Sequence, residues 1–122
     1  MTDNRQEPIP HLLLEEATQA SEELFREVQS VEKRSPHLNL FEGSLLFLCR
    51  TLRILQSAAN TDNNYVSLMS PLQGCGLLCR NTLRDGQQTR NGEVWMGTIV
   101  QLAMTVEGYS YTFMCFLMIR SR

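Results

Sequence analysis

Hydrophobic and polar residues change their spacing along the chain, and the change predicts two kinds of secondary structure. In residues 11–33 the apolar positions recur at steps of three and four, which is the period of an amphipathic helix. Residues from Asn39 or Ser44 to Ala59 are apolar nearly all round, which predicts a second helix packed on more than one side. Ser35-Pro36 is expected to end the first helix. The stripe of the first helix consists of Leu13, Ala17, Ala20, Leu24, Val28 and Val31.

After the polar turn cluster of residues 61–64, the spacing changes to two. Residues 65–69 are therefore predicted to form a short strand that ends at Ser70-Pro71. Residues 76–83 form a less certain strand, with a short helix as the alternative, because glycines in this region weaken a ladder of paired strands. Residues 85–92 contain the turn pairs Asp85-Gly86 and Asn91-Gly92 and are predicted to form an exposed loop.

Residues 93–122 are predicted to form one long β-hairpin with Glu107-Gly108 at its turn. Apolar side chains alternate along both arms, and this face belongs in a core. The opposite face is also apolar at the open end of the hairpin, where a monomeric sheet exposed to water is normally polar. Another part of the chain, a second copy or a partner protein must cover it, and its predicted contact residues are Trp95, Ile99, Phe116 and Met118.

These elements together predict an α+β fold. Two N-terminal helices pack on an antiparallel β-meander of three or four strands, which ends in the long C-terminal hairpin. Residues 1–10 are expected to form a flexible arm, and residues 11–122 a single domain, since 122 residues with 43% hydrophobic content can bury one core.

Charge is distributed unevenly. Residues 1–34 hold eight acidic and four basic residues, whereas the remainder holds five acidic and seven basic residues. Lys33 is the only lysine among eleven basic residues. The scarcity of lysine fits codon bias or an overlapping reading frame, arginine-based recognition, or escape from lysine modification. In its small size and low lysine content the chain is similar to compact virus-encoded accessory proteins in general.

The four cysteines lie within apolar runs, which favours buried free thiols in a reducing compartment over disulfides. Cys75 and Cys79 have a spacing that suits one face of a helical turn, but Cys49 and Cys115 stand alone, so a four-thiolate zinc site is disfavoured. Cys75 lies between two glycines and is a candidate nucleophile, although no activating neighbour is evident. No nucleotide-binding or catalytic motif is found, and no catalytic, cofactor-binding or metal-binding residue is assigned.

Five arginines form a candidate surface for RNA or for an acidic partner: Arg50, Arg53, Arg80, Arg84 and Arg90. A nucleic-acid site is usually found in a strongly basic domain, and this chain has a formal net charge of −2. The favoured alternative is therefore that these arginines pair with the carboxylates of the first helix or are simply solvated.

The sequence as a whole predicts a non-enzymatic protein-interaction module that forms a homodimer through the hairpin or binds a host or other partner protein. An RNA-binding accessory protein is the first alternative, and a thiol-dependent enzyme the second. We expect no membrane span, since no run of 18 apolar residues occurs. The expected location is intracellular, in the cytoplasm or nucleus, with no cofactor and no small-molecule substrate.

Overall fold

The computed structural model describes residues 9–32, 35–59, 65–89 and 93–120, and this part of the chain is helical. Four α-helices follow one another: α1 (Ile9–Gln29), α2 (Pro36–Ala59), α3 (Met69–Thr89) and α4 (Glu93–Arg120), with a single 3-10 turn (Val66–Leu68) leading into α3. No strand occurs among the described residues. The predicted α+β fold with a β-meander is therefore wrong, and the described residues form a four-helix bundle.

The first two predicted helices are present. The apolar stripe predicted for α1 faces the core, with Ala17, Ala20, Leu24 and Val28 fully buried. The start of α2 was predicted too late. Ser35 caps this helix, because its hydroxyl oxygen accepts a hydrogen bond from the backbone N–H of Leu38 at 3.1 Å, and the next residue, Pro36, occupies the first helical position, where proline is favoured.

The strand predicted for residues 65–69 and the loop predicted for residues 85–92 are wrong wherever the structure describes them. Residues 65–69 form the 3-10 turn and the start of α3, not a strand. Residues 76–83 lie inside α3, as the helical alternative had it, and α3 continues through Asp85-Gly86 to Thr89. Pro71 lies in the first turn of α3, where a missing N–H costs nothing because the first four N–H groups have no intrahelical partner. Residues 90–92 lie outside the described residues.

The predicted C-terminal hairpin is also wrong, because residues 93–120 form the single helix α4. Glu107-Gly108, the predicted turn, lies in its middle. The fully buried positions of α4 follow steps of four and three, which is helical spacing. The period of two seen in the sequence arises because apolar residues surround this helix almost completely, so that alternate positions are apolar by default. The buried positions are Ile99, Ala103, Val106, Ser110 and Phe113.

Each helix has two main neighbours. α1 packs against α2 and α3, and α4 packs against α2 and α3, with the α3–α4 contact the smallest of the four. The pairs α1/α4 and α2/α3 are therefore diagonal. One continuous core unites all four helices, with Phe41 of α2 and Phe113 of α4 both fully buried.

α2 and α4 run in the same direction, as two contacts show. The aromatic rings of Phe47 and Tyr111 meet edge to face at 6.1 Å near the middle of the two helices. Near their C-terminal ends, Tyr65 contacts both: its hydroxyl donates a hydrogen bond to the backbone oxygen of Leu55 at 2.9 Å, and its ring meets that of Phe116 at 5.4 Å.

Candidate interaction surface

Exposed hydrophobic side chains are concentrated on one half of the bundle. Of the twelve large hydrophobic residues that are exposed among the described side chains, nine lie on α2 and α4. The outer sides of α1 and α3 carry mainly charged and polar residues instead. Contiguous apolar patches of this kind on soluble proteins usually mark interaction sites. The nine residues are Leu40, Leu46, Phe47, Ile54, Val100, Met104, Tyr111, Met118 and Ile119.

Six of these residues form a regular array, which we call the α2/α4 face. On each helix they recur every seven residues, and they are between 38% and 62% exposed. The ring contact between Phe47 and Tyr111 fixes the middle tier, and because the two helices are parallel, the same offset of 64 residues sets Leu40 beside Met104 and Ile54 beside Met118. The tiers are spaced by about 10.5 Å, since each residue of a helix rises 1.5 Å. The face consists of Leu40, Phe47, Ile54, Met104, Tyr111 and Met118.

The core pattern keeps this array on one side. The buried positions of α2 recur at steps of three and four, as those of α4 do, so both helices present the same side to the core over their length. Residues spaced by seven therefore stay on a constant outer side. The buried positions of α2 include Leu38, Phe41, Leu45, Leu48, Leu52 and Leu55.

Two charged residues and two glycines lie within or beside the α2/α4 face. Arg50 of α2 and Glu107 of α4 are exposed, and within the described part of the chain neither forms an ion pair. Gly43 and Gly108 point outward, and a Cβ atom added to either would meet nothing within 4 Å. A glycine inside a helix costs about 1 kcal/mol relative to alanine, and here it leaves room for another backbone to approach.

The predicted contact residues do not come together, because the hairpin that was to pair them is a helix. Ile99 is 2% exposed and belongs to the core. Phe116 is half-buried against Tyr65, and Met118 is exposed within the α2/α4 face. The side chain of Trp95 lies outside the described residues. Ile99 and Phe116 are separated by 17 positions of α4, which is about 25 Å.

The predicted arginine surface is divided among different partners. Arg53 forms a bidentate ion pair with Glu22 of α1, with N–O distances of 2.6 and 3.0 Å. Arg80 contacts Glu16 at 3.0 Å and Glu23 at 2.8 Å, also on α1. The hydrogen bond that Arg80 donates to the Glu16 carboxylate raises the pKa of Arg80 above its usual value.

Among the described residues, neither Arg50 nor Arg84 forms an ion pair with a carboxylate. Arg84 donates a hydrogen bond to the side-chain oxygen of Asn81, Arg50 is exposed, and Arg90 lies outside the described residues. Two of the four described arginines are therefore occupied by carboxylates of α1. The RNA-binding alternative stays a prediction without a structural observation in its favour.

Three of the four cysteines lie inside the bundle. Cys75 and Cys79 are fully buried, and Cys49 is 7% exposed, with its thiol donating a hydrogen bond to the Ser21 hydroxyl oxygen at 3.6 Å. Burial raises the pKa of Cys49 to about 11. The hydrogen bond with Cys79, together with burial, raises the pKa of Cys75 still further.

The thiols of Cys49 and Cys75 are consequently protonated at neutral pH. All three buried thiols are shielded from solvent, so the structure gives no support to Cys75 as a nucleophile. Cys115, in contrast, is exposed on α4. Among the residues that the structure describes, no cluster of three or more His, Cys, Asp or Glu side chains is arranged to hold a metal ion.

α4 also meets the length and composition criteria for a membrane-spanning helix. The segment Thr98–Ile119 has 22 residues and a mean hydropathy of 1.3, and 22% of it is buried in the bundle. The core helix of a soluble bundle meets the same criteria, so these properties alone do not assign the helix to a bilayer. Half of the residues in this segment are exposed in the bundle.

Comparison of the chain with protein-family models, with curated proteins and with solved structures gives no match. The candidate surface therefore rests on the physical chemistry of this chain alone.

Proposed function

We infer that this protein is a non-enzymatic interaction module that binds another polypeptide through the α2/α4 face. The observation that carries this proposal is the uneven distribution of exposed hydrophobic residues, since nine of the twelve in the described part of the chain lie on two adjacent helices. Burying one such side chain contributes about 1.5–3 kcal/mol before association costs. Six side chains in three tiers are therefore enough for a specific interface.

The composition of the face favours a protein as its ligand. Aromatic residues and methionine are enriched in protein interfaces, and the face includes Phe47, Tyr111, Met104 and Met118. Methionine adapts its shape to a partner at low cost, because its side chain is unbranched and flexible. In this proposal the buried thiols of Cys49, Cys75 and Cys79 contribute to core packing and take part in no reaction.

Site-specific photo-crosslinking in expressing cells tests the proposal. A photoreactive phenylalanine analogue replaces Tyr111 in one variant and Leu77, which is 56% exposed on α3, in a matched control. We expect a discrete protein adduct from position 111 but not from position 77. Addition of Met104→Arg, which places a charge in the same face, is expected to abolish the adduct.

A position 111 probe that yields only lipid adducts, or the same adducts as position 77, would show that the face is not a protein-binding site.

A further inference from the structure

α4 carries two stripes of mainly apolar residues, and only one of them faces the core. The core stripe includes Ile99, Ala103, Val106, Ser110 and Phe113. The second stripe begins one residue later, repeats the same steps of four and three, and is exposed or half-buried. Since one residue corresponds to about 100° of rotation, the second stripe points well away from the core. Its members are Val100, Met104, Glu107, Tyr111, Met114 and Met118.

α2 carries a matching stripe beside it. Leu40, Phe47 and Ile54 are exposed, and the buried residues Ser44 and Thr51 complete steps of four and three between them. The ring contact of Phe47 with Tyr111 shows that the stripes of the two helices adjoin. The α2/α4 face is therefore a continuous apolar strip along two parallel helices. From Val100 to Met118 it is about 27 Å long.

We propose that the occupant of the α2/α4 face is a single amphipathic α-helix of another protein, which places a basic residue opposite Glu107. This proposal rests on the proposed function and names the kind of partner that the face binds. A helix of about 18 residues matches the length of the strip. Its contact would remove about 1,200 Å² from water in total, near the lower limit of specific interfaces, so micromolar affinity is expected.

The spacing of the exposed stripes favours a helix as the partner. Apolar residues at steps of three and four are the pattern through which helices pack side by side, and the core stripe of α4 packs against helices in this way. A strand repeats the residues of one side every 6.6–6.8 Å or so, which does not match tiers about 10.5 Å apart. A helix repeats its apolar stripe every seven residues, about 10.5 Å, and matches every tier.

Glu107 determines the charge of the partner. It lies within the second stripe of α4, between Met104 and Tyr111, and is exposed. Within the described part of the chain its carboxylate forms no ion pair. A helix that covers the stripe excludes water from this carboxylate, and a charge buried without a partner is costly. An arginine or lysine of the incoming helix removes that cost, whereas the hydrocarbon of a bilayer cannot.

The segments of this sequence outside the described residues are too short to cover the face. The longest of them is residues 1–8, and eight residues of helix span about 12 Å, less than half of the strip. The four described helices are themselves committed, since each contributes its buried stripe to the common core.

Selection from a displayed library of 21-residue peptides, randomised at every position, tests the proposal with the full chain as bait. Wild type is expected to enrich peptides that have apolar residues at steps of three and four and an arginine or lysine within that stripe. Circular dichroism should show that these peptides are helical when bound. Met104→Arg is expected to enrich none of them, whereas Leu77→Arg on α3 is the matched control and should enrich the same peptides as wild type. Both positions are exposed, so both variants should fold.

The charge pairing is tested with the tightest of the selected peptides. Glu107→Arg is expected to weaken its binding at least about tenfold, because it sets like charges opposite each other. Replacing the basic residue of the peptide by glutamate should restore binding to this variant and weaken binding to wild type. Glu15→Arg, which changes the net charge equally at an exposed position of α1, is the control and should bind as wild type does.

The proposal is overturned if wild type enriches no peptide, if the enriched peptides lack steps of three and four, or if Glu107→Arg keeps the preference for a basic residue. A wild type that forms a dimer in sedimentation equilibrium, while Met104→Arg stays monomeric, also overturns it, because a second copy then covers the face.

The cellular probe separates this proposal from the proposed function. A position 111 probe that captures a protein, while no helical peptide binds, removes the helix but leaves the interaction module. A probe that labels only lipid removes both.

Discussion

Replacing Gly74 by alanine tests the packing of α3 against α4. A Cβ atom at this position would lie 2.5 Å from the hydroxyl oxygen of Tyr109, well inside van der Waals contact, and 3.4 Å from the ring carbon that bears the hydroxyl. The Tyr109 ring is held in place, since it stacks on Phe113 at a centroid distance of 6.3 Å and an interplanar angle of 14°. The added methyl group therefore forces the two helices or the ring to move.

Two opposing effects determine how Gly74→Ala changes the free energy of unfolding. Glycine to alanine inside a helix stabilises by about 1 kcal/mol, whereas overpacking a contact costs about 1–3 kcal/mol. We expect Gly74→Ala to destabilise the wild-type protein by about 1 kcal/mol. In a Tyr109→Phe background the offending oxygen is absent, so the same substitution should stabilise by up to about 1 kcal/mol.

Denaturant unfolding followed by circular dichroism measures this double-mutant cycle. Gly43→Ala is the matched control, because a Cβ there meets nothing within 4 Å, and it should stabilise both backgrounds equally. If Gly74→Ala changes the unfolding free energy by the same amount with and without the Tyr109 hydroxyl, the contact between position 74 and this hydroxyl is not the cause of the change.

Three further outcomes are expected. Phe113→Ala removes a fully buried ring and should lower the free energy of unfolding by about 3–5 kcal/mol, whereas Met104→Ala, 62% exposed, should change it by less than about 0.5 kcal/mol in the monomer. Because the pKa of Cys49 rises from 9.0 unfolded to about 11 in the folded chain, its contribution of about 2–3 kcal/mol is complete below pH 9 and is lost as the pH rises to 11. Urea titrations over this range should show a loss of stability, and Cys49→Ala should make it smaller without abolishing it, because the pKa of Cys75 is raised as well. A thiol reagent should modify Cys115 at once and the three buried thiols only at the rate of unfolding; four thiols that react equally fast would contradict the described burial.

The N-terminal half of the fold could be predicted because its helices are amphipathic or have clear ends. The stripe of α1 contains Leu24 and Val28 at helical spacing, and both are fully buried. The start of α2 was also readable, since Ser35 followed by Pro36 is a typical helix N-terminus, but it was interpreted only as the end of α1.

The C-terminal half could not be predicted from spacing, because α4 is apolar on almost every side. Such a helix contains alternating apolar positions as well as helical ones, and Glu107-Gly108 resembles a turn pair. The length of the segment argues against a hairpin, since its arms of about 13 residues exceed the usual strand of 5–6 residues. In α3, Asp85-Gly86 is typical of a turn in sequence but lies within a helix.

The candidate surface depends on tertiary structure that one sequence does not reveal. Exposed apolar residues such as Leu40 and Met104 are indistinguishable from core residues in a list of hydrophobic positions. Their heptad spacing is visible in the sequence, but the pairing of α2 with α4 is not, because these helices are neighbours in space and not in the chain.

The ion pairs of Arg53 and Arg80 with α1 place most of the paired charge away from α4. When the proposed partner covers the α2/α4 face, the surface that remains in contact with solvent is the charged and polar outer side of α1 and α3. A charged surface offers no apolar site for further copies or partners to bind. The complex should therefore stay small and soluble at high concentration and form neither filaments nor precipitates.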